Sequence, residues 1–243
     1  MEQGILQREF LITPEHCGIA GQLTPLGAFT LFQALASEHA EQIGVGFAAM
    51  AKRREFWLTV HTRVDFCGSA GLMQTVTGET WPEACQPETL RCFRSYRLRR
   101  GADVVALGRT QWAILGPEGR VVPFGSSAFP QEFPFPEGPA IDEAPVRFRD
   151  DFTEADTVRS VPVRSTDIDV GHHMNNVAYV RLLLDCLNAA EMDRVRSMEV
   201  HYAAQCREGE MLTVFCRHEP DGTHRLAVKN AAGRHAVLAA IRF

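Results

Sequence analysis

Two rhythms of apolar and polar positions run along the chain, and their order predicts the architecture. Residues 6–12, 56–66, 71–81, 90–98 and 103–115 read as strands, being rich in β-branched and aromatic side chains. A turn-rich piece at 14–24 leads into a predicted helix at 25–43. Strands are predicted again at 157–165, 196–206, 211–218, 224–229 and 236–243, with one helix at 176–191. In that helix Val177, Val180, Leu183, Leu184 and Leu187 mark a broad apolar face, which Ala178, Leu182, Cys186 and Ala189 widen. A helix so apolar is wrapped on several sides, as by a sheet curled around it. Arg100-Gly-Ala-Asp103, Asp221-Gly222 and Ala232-Gly233 supply hairpin turns. Gly44-Val-Gly46 lacks a phosphate-loop pattern and is read as the end of the first helix.

Between Gly116 and Pro145 seven prolines fall among Gly, Ser and four phenylalanines (Phe124, Phe129, Phe133, Phe135). This is a linker, extended and partly ordered by those rings. It divides the chain into 1–116, a connecting 117–150, and 151–243. Each half reads as strand, loop, helix, then four strands, so an internal duplication is the economical account. Superposing Gly71 on Gly209, and Leu23-Thr-Pro25 on Met174-Asn-Asn176, sets Gly18 against Asp169 and Gln22 against His173. Only the second half then carries an acid and an imidazole. The expectation is a division of labour: the second half reacts, and the first shapes a pocket or interface.

Composition narrows the class. A net charge of −5 lacks the basic stripe of a nucleic-acid binder. No apolar run is long enough to span a bilayer, so membrane insertion is not expected. The beginning, Met-Glu-Gln-Gly-Ile5, does not read as a secretory signal. Seven irregularly spaced cysteines without a C-x-x-C fit free thiols in a reducing cytoplasm.

The candidate chemistry lies in 163–179, where Asp167, Asp169, Gly171, His172, His173 and Asn175-Asn176 precede the second helix. Asp169 is a candidate general base or nucleophile, against the plainer reading of a turn-capping carboxylate. His173 either orients Asp169 or water and serves the leaving group, or is a core histidine. Asn175 is a candidate N-cap, and the amides of Asn176 and Val177, with the helix dipole, suit a polarised carbonyl. Gln205 can hold water but not take a proton, and is equally read as a solvent-facing strand residue. Cys206 is read as packing rather than as a nucleophile. Adjacent His172 and His173 point apart, so no metal or other cofactor is expected. Arg91, Arg94, Arg97, Arg99 and Arg100 form a basic row, either a rim for an acidic partner or a solvated face.

The run Asp167-Ile-Asp-Val-Gly-His-His-Met-Asn-Asn-Val-Ala-Tyr179 resembles the signature of the acyl-ACP thioesterases, Asp-Leu-Asp-x-Asn-x-His-Val-Asn-Asn-x-x-Tyr. The likeness extends over nearly the whole chain, including Gly21-Gln-Leu-Thr-Pro25 and Phe56-Trp-Leu-Thr-Val60. It implies an α+β fold of two tandem hotdog domains, each an antiparallel sheet wrapped around a long central helix. The first would hold the acyl tail and the second the catalytic groups, with Asp169 and His173 at the family's acid and imidazole positions. Gly171 stands where the family has Asn, and Gln205 where it has an acidic residue. The implied function is hydrolysis of fatty acyl thioesters on acyl carrier protein, in fatty acid synthesis. Alternatives are an acyl-CoA thioesterase, a hotdog dehydratase and a non-catalytic acyl-binding or carrier-interaction module. A tandem pair already makes internally what single hotdogs make by dimerising, which leaves a monomer or a homodimer.

Overall fold

The computed structural model describes residues 4–130, 132–136 and 138–243. The first half runs β1 (Leu6–Leu11), α1 (Pro25–Ile43), α2 (Phe47–Lys52), β2 (Phe56–Phe66), β3 (Thr75–Pro82), β4 (Cys92–Arg100) and β5 (Asp103–Leu115). A short β6 (Val121–Val122) follows in the connecting stretch. The second half runs β7 (Thr157–Pro162), α3 (Asn176–Leu184), α4 (Ala189–Met192), β8 (Ser197–Tyr202), β9 (Met211–His218), β10 (His224–Lys229) and β11 (His235–Arg242). These strands form one antiparallel sheet in the order β1-β3-β4-β5-β2-β8-β11-β10-β9-β7, with β6 on β5. The path β1-β3-β4-β5-β2 recurs as β7-β9-β10-β11-β8, and the two runs meet where β2 pairs with β8. A large antiparallel sheet with few helices is hotdog-like.

Helix α1 begins and ends on local chemistry. Thr24 caps it by accepting the Gly27 N–H at 3.1 Å, and Pro25 takes the first position. Gly44 closes it in the left-handed conformation, φ 85°. Its buried face carries Ala28, Leu31, Phe32 and Leu35. Phe32 stacks on Tyr96 of β4 with centroids 4.8 Å apart. It lies so close to β5 that a Cβ at Gly108 would come within 2.6 Å of its ring. Helix α3 packs Val180, Leu183 and Leu184 into the same core, so one apolar cluster unites both halves. The helix predicted at 176–191 is interrupted after Leu184. Asn188 accepts the Glu191 N–H at 3.0 Å while Glu191 accepts the Asn188 N–H at 2.9 Å, and this reciprocal cap starts α4 afresh.

The four linker phenylalanines gather on one another and on Val45, Met50 and Ile114. Basic row and duplication register both need correction. Arg94 is buried against α1, where it donates to His39 Nδ1 at 2.9 Å and to Thr80 Oγ1 at 3.3 Å. Arg97 and Arg99 both pair with Glu79. Gly71 corresponds in space to Arg207, not Gly209. The Gly71 N–H meets Gln74 Oε1 at 2.8 Å, as the Arg207 N–H meets Glu210 Oε1 at 3.0 Å. The partner of Gly209 (φ 83°) is therefore Met73 (φ 62°), and their N–H groups reach the matching carbonyls of Val163 and Ile12. The shared residue type misled the superposition by two positions, because the left-handed site is occupied by Gly in one half and Met in the other.

A left-handed non-glycine residue costs roughly 1–2 kcal/mol. Gly209→Ala is expected to lose about that much in urea unfolding, and Met73→Gly to gain up to about 1 kcal/mol after the entropy of glycine is deducted. Equal destabilisation by both would contradict the structural equivalence.

His39 on α1 is fully buried. Burial first, and then the Arg94 charge, push its imidazole down to about 3. The unfolded chain takes up that proton near pH 6.5 and the folded chain does not. This group's contribution to stability is complete above about pH 6.5 and is lost as pH falls toward 3, by up to about 1.4 kcal/mol per pH unit. Urea unfolding between pH 7 and 4.5 should show that slope, and His39→Gln should flatten it.

Candidate active site

The loop from β7 to α3 is shaped by its two carboxylates, which do different things. Asp167 is buried in a 3-10 turn, Ser165–Asp167. Its Oδ2 accepts the Arg164 N–H at 2.9 Å, and its Oδ1 takes the Arg181 guanidinium. Both oxygens are thus committed to holding the loop against α3. Asp169 is only half-buried and begins a tight hairpin. Its N–H donates to the His173 carbonyl at 3.0 Å, and its carbonyl accepts the His172 N–H at 3.0 Å. His172, at the apex, adopts φ 60° and faces solvent.

The Asp169 carboxylate turns inward over this hairpin. Oδ1 accepts the Gly171 N–H at 2.8 Å, and Oδ2 lies 3.4 Å from Asn175 Nδ2. Gly171 leaves the room for it: a Cβ there would sit 3.1 Å from Oδ1. Asn175 is the N-cap of α3, its Oδ1 accepting the Val177 N–H at 2.8 Å. That bond uses one of the two amides expected to face a carbonyl. Among the described residues no acceptor meets the Asn176 N–H, which leaves that amide free. Asn176 also reaches across the molecule, its Nδ2 donating to Thr59 Oγ1 on β2 at 2.7 Å. The site therefore stands at the seam between the halves.

His173 is half-buried beside this group, and among the described residues its ring meets no hydrogen-bond partner. The loop is fastened to the segment after β8 by the Met174 N–H, which donates to the Cys206 carbonyl at 2.8 Å. Gln205 precedes that anchor with an exposed side chain that bonds to neither Asp169 nor His173. Cys206 is fully buried; burial pushes its thiol up, partly offset by the Tyr179 hydroxyl, which suits packing rather than attack. The structure thus brings Asp169, Gly171, Asn175 and Asn176 together, and leaves Gln205 outside. Thr59 was not legible as a site residue, since nothing in its strand distinguishes it. The anchoring role of Asp167 was hidden because the sequence shows two equivalent carboxylates.

The first-half loop has the same backbone with other side chains. The Gly18 N–H meets the Gln22 carbonyl at 3.0 Å and the Gly21 N–H meets the Gly18 carbonyl at 2.9 Å. Pro25 stands in the place of Asn176 and has no N–H to offer.

Residues 151–243 match the family model of the acyl-ACP thioesterase C-terminal domain. The likeness suggested by the run at 167–179 thus extends over the second half. The oleoyl-acyl carrier protein thioesterase 2 of Arabidopsis thaliana chloroplasts is 22% identical over 234 residues, covering 87% of this chain and 63% of that protein. The oleoyl-acyl carrier protein thioesterase of Coriandrum sativum is also 22% identical, over 90% of this chain and 64% of its own length. The chain thus spans just under two thirds of the curated relatives it matches. An acyl-ACP thioesterase from Bacteroides thetaiotaomicron superposes with a TM-score of 0.87 at 20% identity, over 99% of this chain and 98% of that one. The 12:0-ACP thioesterase from Umbellularia californica gives 0.84 at 17%, over 100% and 98%. The fold is therefore that of the acyl-ACP thioesterases along the whole chain.

The two carboxylates should separate in stability measurements. Asp167→Ala takes the acceptor from the Arg164 N–H and the partner from Arg181, for a loss of about 1–3 kcal/mol. Asn175→Ala removes the helix cap at about 1 kcal/mol. Asp169→Asn should stay within about 0.5 kcal/mol of the parent. Chemical unfolding of the three variants gives this ranking directly; a larger loss for Asp169→Asn than for Asp167→Ala would reverse the assignment.

Proposed function

We propose that the chain hydrolyses fatty acyl-ACP thioesters to free fatty acid and carrier thiol. The observation that carries this reading is Asp169, held over Gly171 and Asn175 with one oxygen only loosely engaged, beside the unpaired Asn176 N–H at the start of α3. The family match of 151–243 supports it. In this reading the chain is two tandem hotdog units, 1–116 and 151–243, each sheet wrapped around its central helix, joined by 117–150. The first unit holds the acyl chain. Its own loop, with Gly18 and Gln22 in place of Asp169 and His173, has no chemistry to perform.

The thioester carbonyl oxygen docks at the α3 N-terminus, where the Asn176 N–H and the helix dipole stabilise the charge that develops on it. Asp169 either takes a proton from water as the water oxygen attacks the carbonyl carbon, or attacks that carbon itself. In the first case the tetrahedral intermediate collapses by breaking the C–S bond, and the proton passes to the thiolate. In the second the C–S bond breaks first to leave an Asp169 anhydride, which water then hydrolyses. His173, half-buried beside Asp169, holds the water; Gln205, whose side chain is exposed, takes no part. Neither a metal nor another cofactor enters this reading. The acyl carrier protein is the partner, met by the outward Arg97 and Arg99, and the seven free thiols favour a cytoplasmic setting.

Thiol release from a panel of acyl-ACP and acyl-CoA substrates tests the reading. Wild type should release thiol with acyl-ACP preferred, and Asp169→Asn should be slower by about 100-fold or more with unchanged stability. Label in the Asp169 carboxylate after single turnover in 18O-water establishes attack by Asp169; label in the fatty acid alone fits either route, since water can also open the anhydride at the acyl carbon. Preference for acyl-CoA, or conversion of 3-hydroxyacyl thioesters without thiol release, would replace the substrate or the reaction. Binding of acyl thioesters without turnover would make the chain an acyl-binding module.

A further inference from the structure

Away from the Asp169 loop, β9 and β10 gather soft ligating side chains. Cys216 and His218 stand two apart on β9 and share one face of the sheet. His224 of β10 lies opposite His218 in the strand register. One donor atom from each of Cys216, His218 and His224 lies within 4.8 Å of the others. The two imidazoles stack with centroids 3.9 Å apart. His224 is only 7% exposed, and its Nδ1 is buried without a hydrogen-bond partner. A buried polar atom left unpaired costs about 1–3 kcal/mol, so a partner here would be stabilising. The Cys186 thiol, just beyond α3, lies close to Cys216.

We propose that Cys186, Cys216, His218 and His224 form a binding site for a thiophilic divalent cation of the zinc type. Two thiols and two imidazoles are a donor set that suits tetrahedral zinc. Bonds of about 2.0–2.3 Å in that geometry put donors roughly 3.3–3.8 Å apart, so three of the four need only turn inward. The stacked rings rotate to aim one nitrogen each at the ion. Both thiols ligate as thiolates, so binding one cation releases two protons. His218 is exposed and gives the ion a way in. Cys186 lies past the C-terminal end of α3, whose nine residues span about 14 Å from the Asp169 loop. The cation is therefore structural: it fastens the exit of α3 to β9 and β10. The spacing of these residues matches no zinc motif, which is why the sequence predicts no metal.

The test is titration of the reduced, metal-stripped full chain with Co2+ and then Zn2+, read by absorption and thermal unfolding. The expected result is one ion per chain, a thiolate-to-cobalt charge-transfer band displaced by Zn2+, and a higher Tm with Zn2+. His218→Ala, at an exposed position, and Cys216→Ser should each weaken binding by at least about tenfold. If Cys216→Ser proves unfolded by circular dichroism, His218→Ala decides the matter. No charge-transfer band, or unchanged affinity in His218→Ala, would overturn the proposal. So would binding that depends on Cys186 and Cys216 but on neither histidine.

Discussion

The pairing of β2 with β8 is the constraint on which the site depends. Five residue pairs, from His61↔His201 to Asp65↔Ser197, turn two half-sheets into one. At the centre of the seam sits Glu199, with no exposed surface. Burial alone would push its carboxyl up. His61 Nε2 at 2.9 Å, the Val146 N–H at 2.7 Å and the charge of Arg63 more than offset this and hold it below the usual carboxylate range. Val146 belongs to the connecting stretch, so the same carboxylate also fastens that stretch across the seam. Phe148, two residues on, packs its ring 6.4 Å from both His61 and His201. Beyond the paired segment β2 continues as Phe56–Thr59, and this overhang brings Thr59 to Asn176. Without the shared sheet the start of α3 would meet solvent instead of the other half.

The two loops show how a duplicated backbone diverges in chemistry. Both keep the same hairpin hydrogen bonds and a left-handed apex, Gly21 at φ 67° and His172 at φ 60°. Glycine adopts that conformation freely, whereas a histidine there costs roughly 1–2 kcal/mol. The second half bears this strain where its acid and imidazole are clustered, which is where strained residues tend to persist. The first-half loop has glycine at its apex and at the position of Asp169, and begins its helix with a proline that has no amide to offer. Backbone demands kept the loops alike; only side chains and one N–H distinguish them.

Most of this was legible in the sequence where one physical cause acted alone. Strands 56–66, 103–115, 211–218 and 224–229 coincide with β2, β5, β9 and β10, because side-chain type and flanking turns agreed. Asn175 as N-cap and Gly44 as helix end followed from their local chemistry in the same way. Errors arose where two causes competed. Helix periodicity continues through Cys186 and Leu187, but Asn188 and Glu191 bond to each other's backbone and restart the helix. Arginine spacing along β4 looked like a surface row, yet one face of a strand beside α1 is interior, and Arg94 lies on it. Contacts between residues far apart in sequence, such as Asn176 with Thr59, leave no local trace at all.

The departure at Gly171 has a geometric meaning in the proposed hydrolysis. The Asp169 carboxylate is held asymmetrically: Oδ1 is held at 2.8 Å, while the 3.4 Å contact of Oδ2 is long for a hydrogen bond. Oδ1 therefore orients the group, and Oδ2 is the freer oxygen for the proposed attack or proton removal. The contact of Oδ2 is with the N-cap of α3, so the reactive oxygen is on the side of the helix amides. A Cβ at 171 would begin 3.1 Å from Oδ1, a tight contact that the carboxylate would ease by a few tenths of an ångström. With no side chain at 171, the backbone N–H is the group that orients the acid. On this account the missing asparagine need not mean a missing function, since the Gly171 N–H does the orienting.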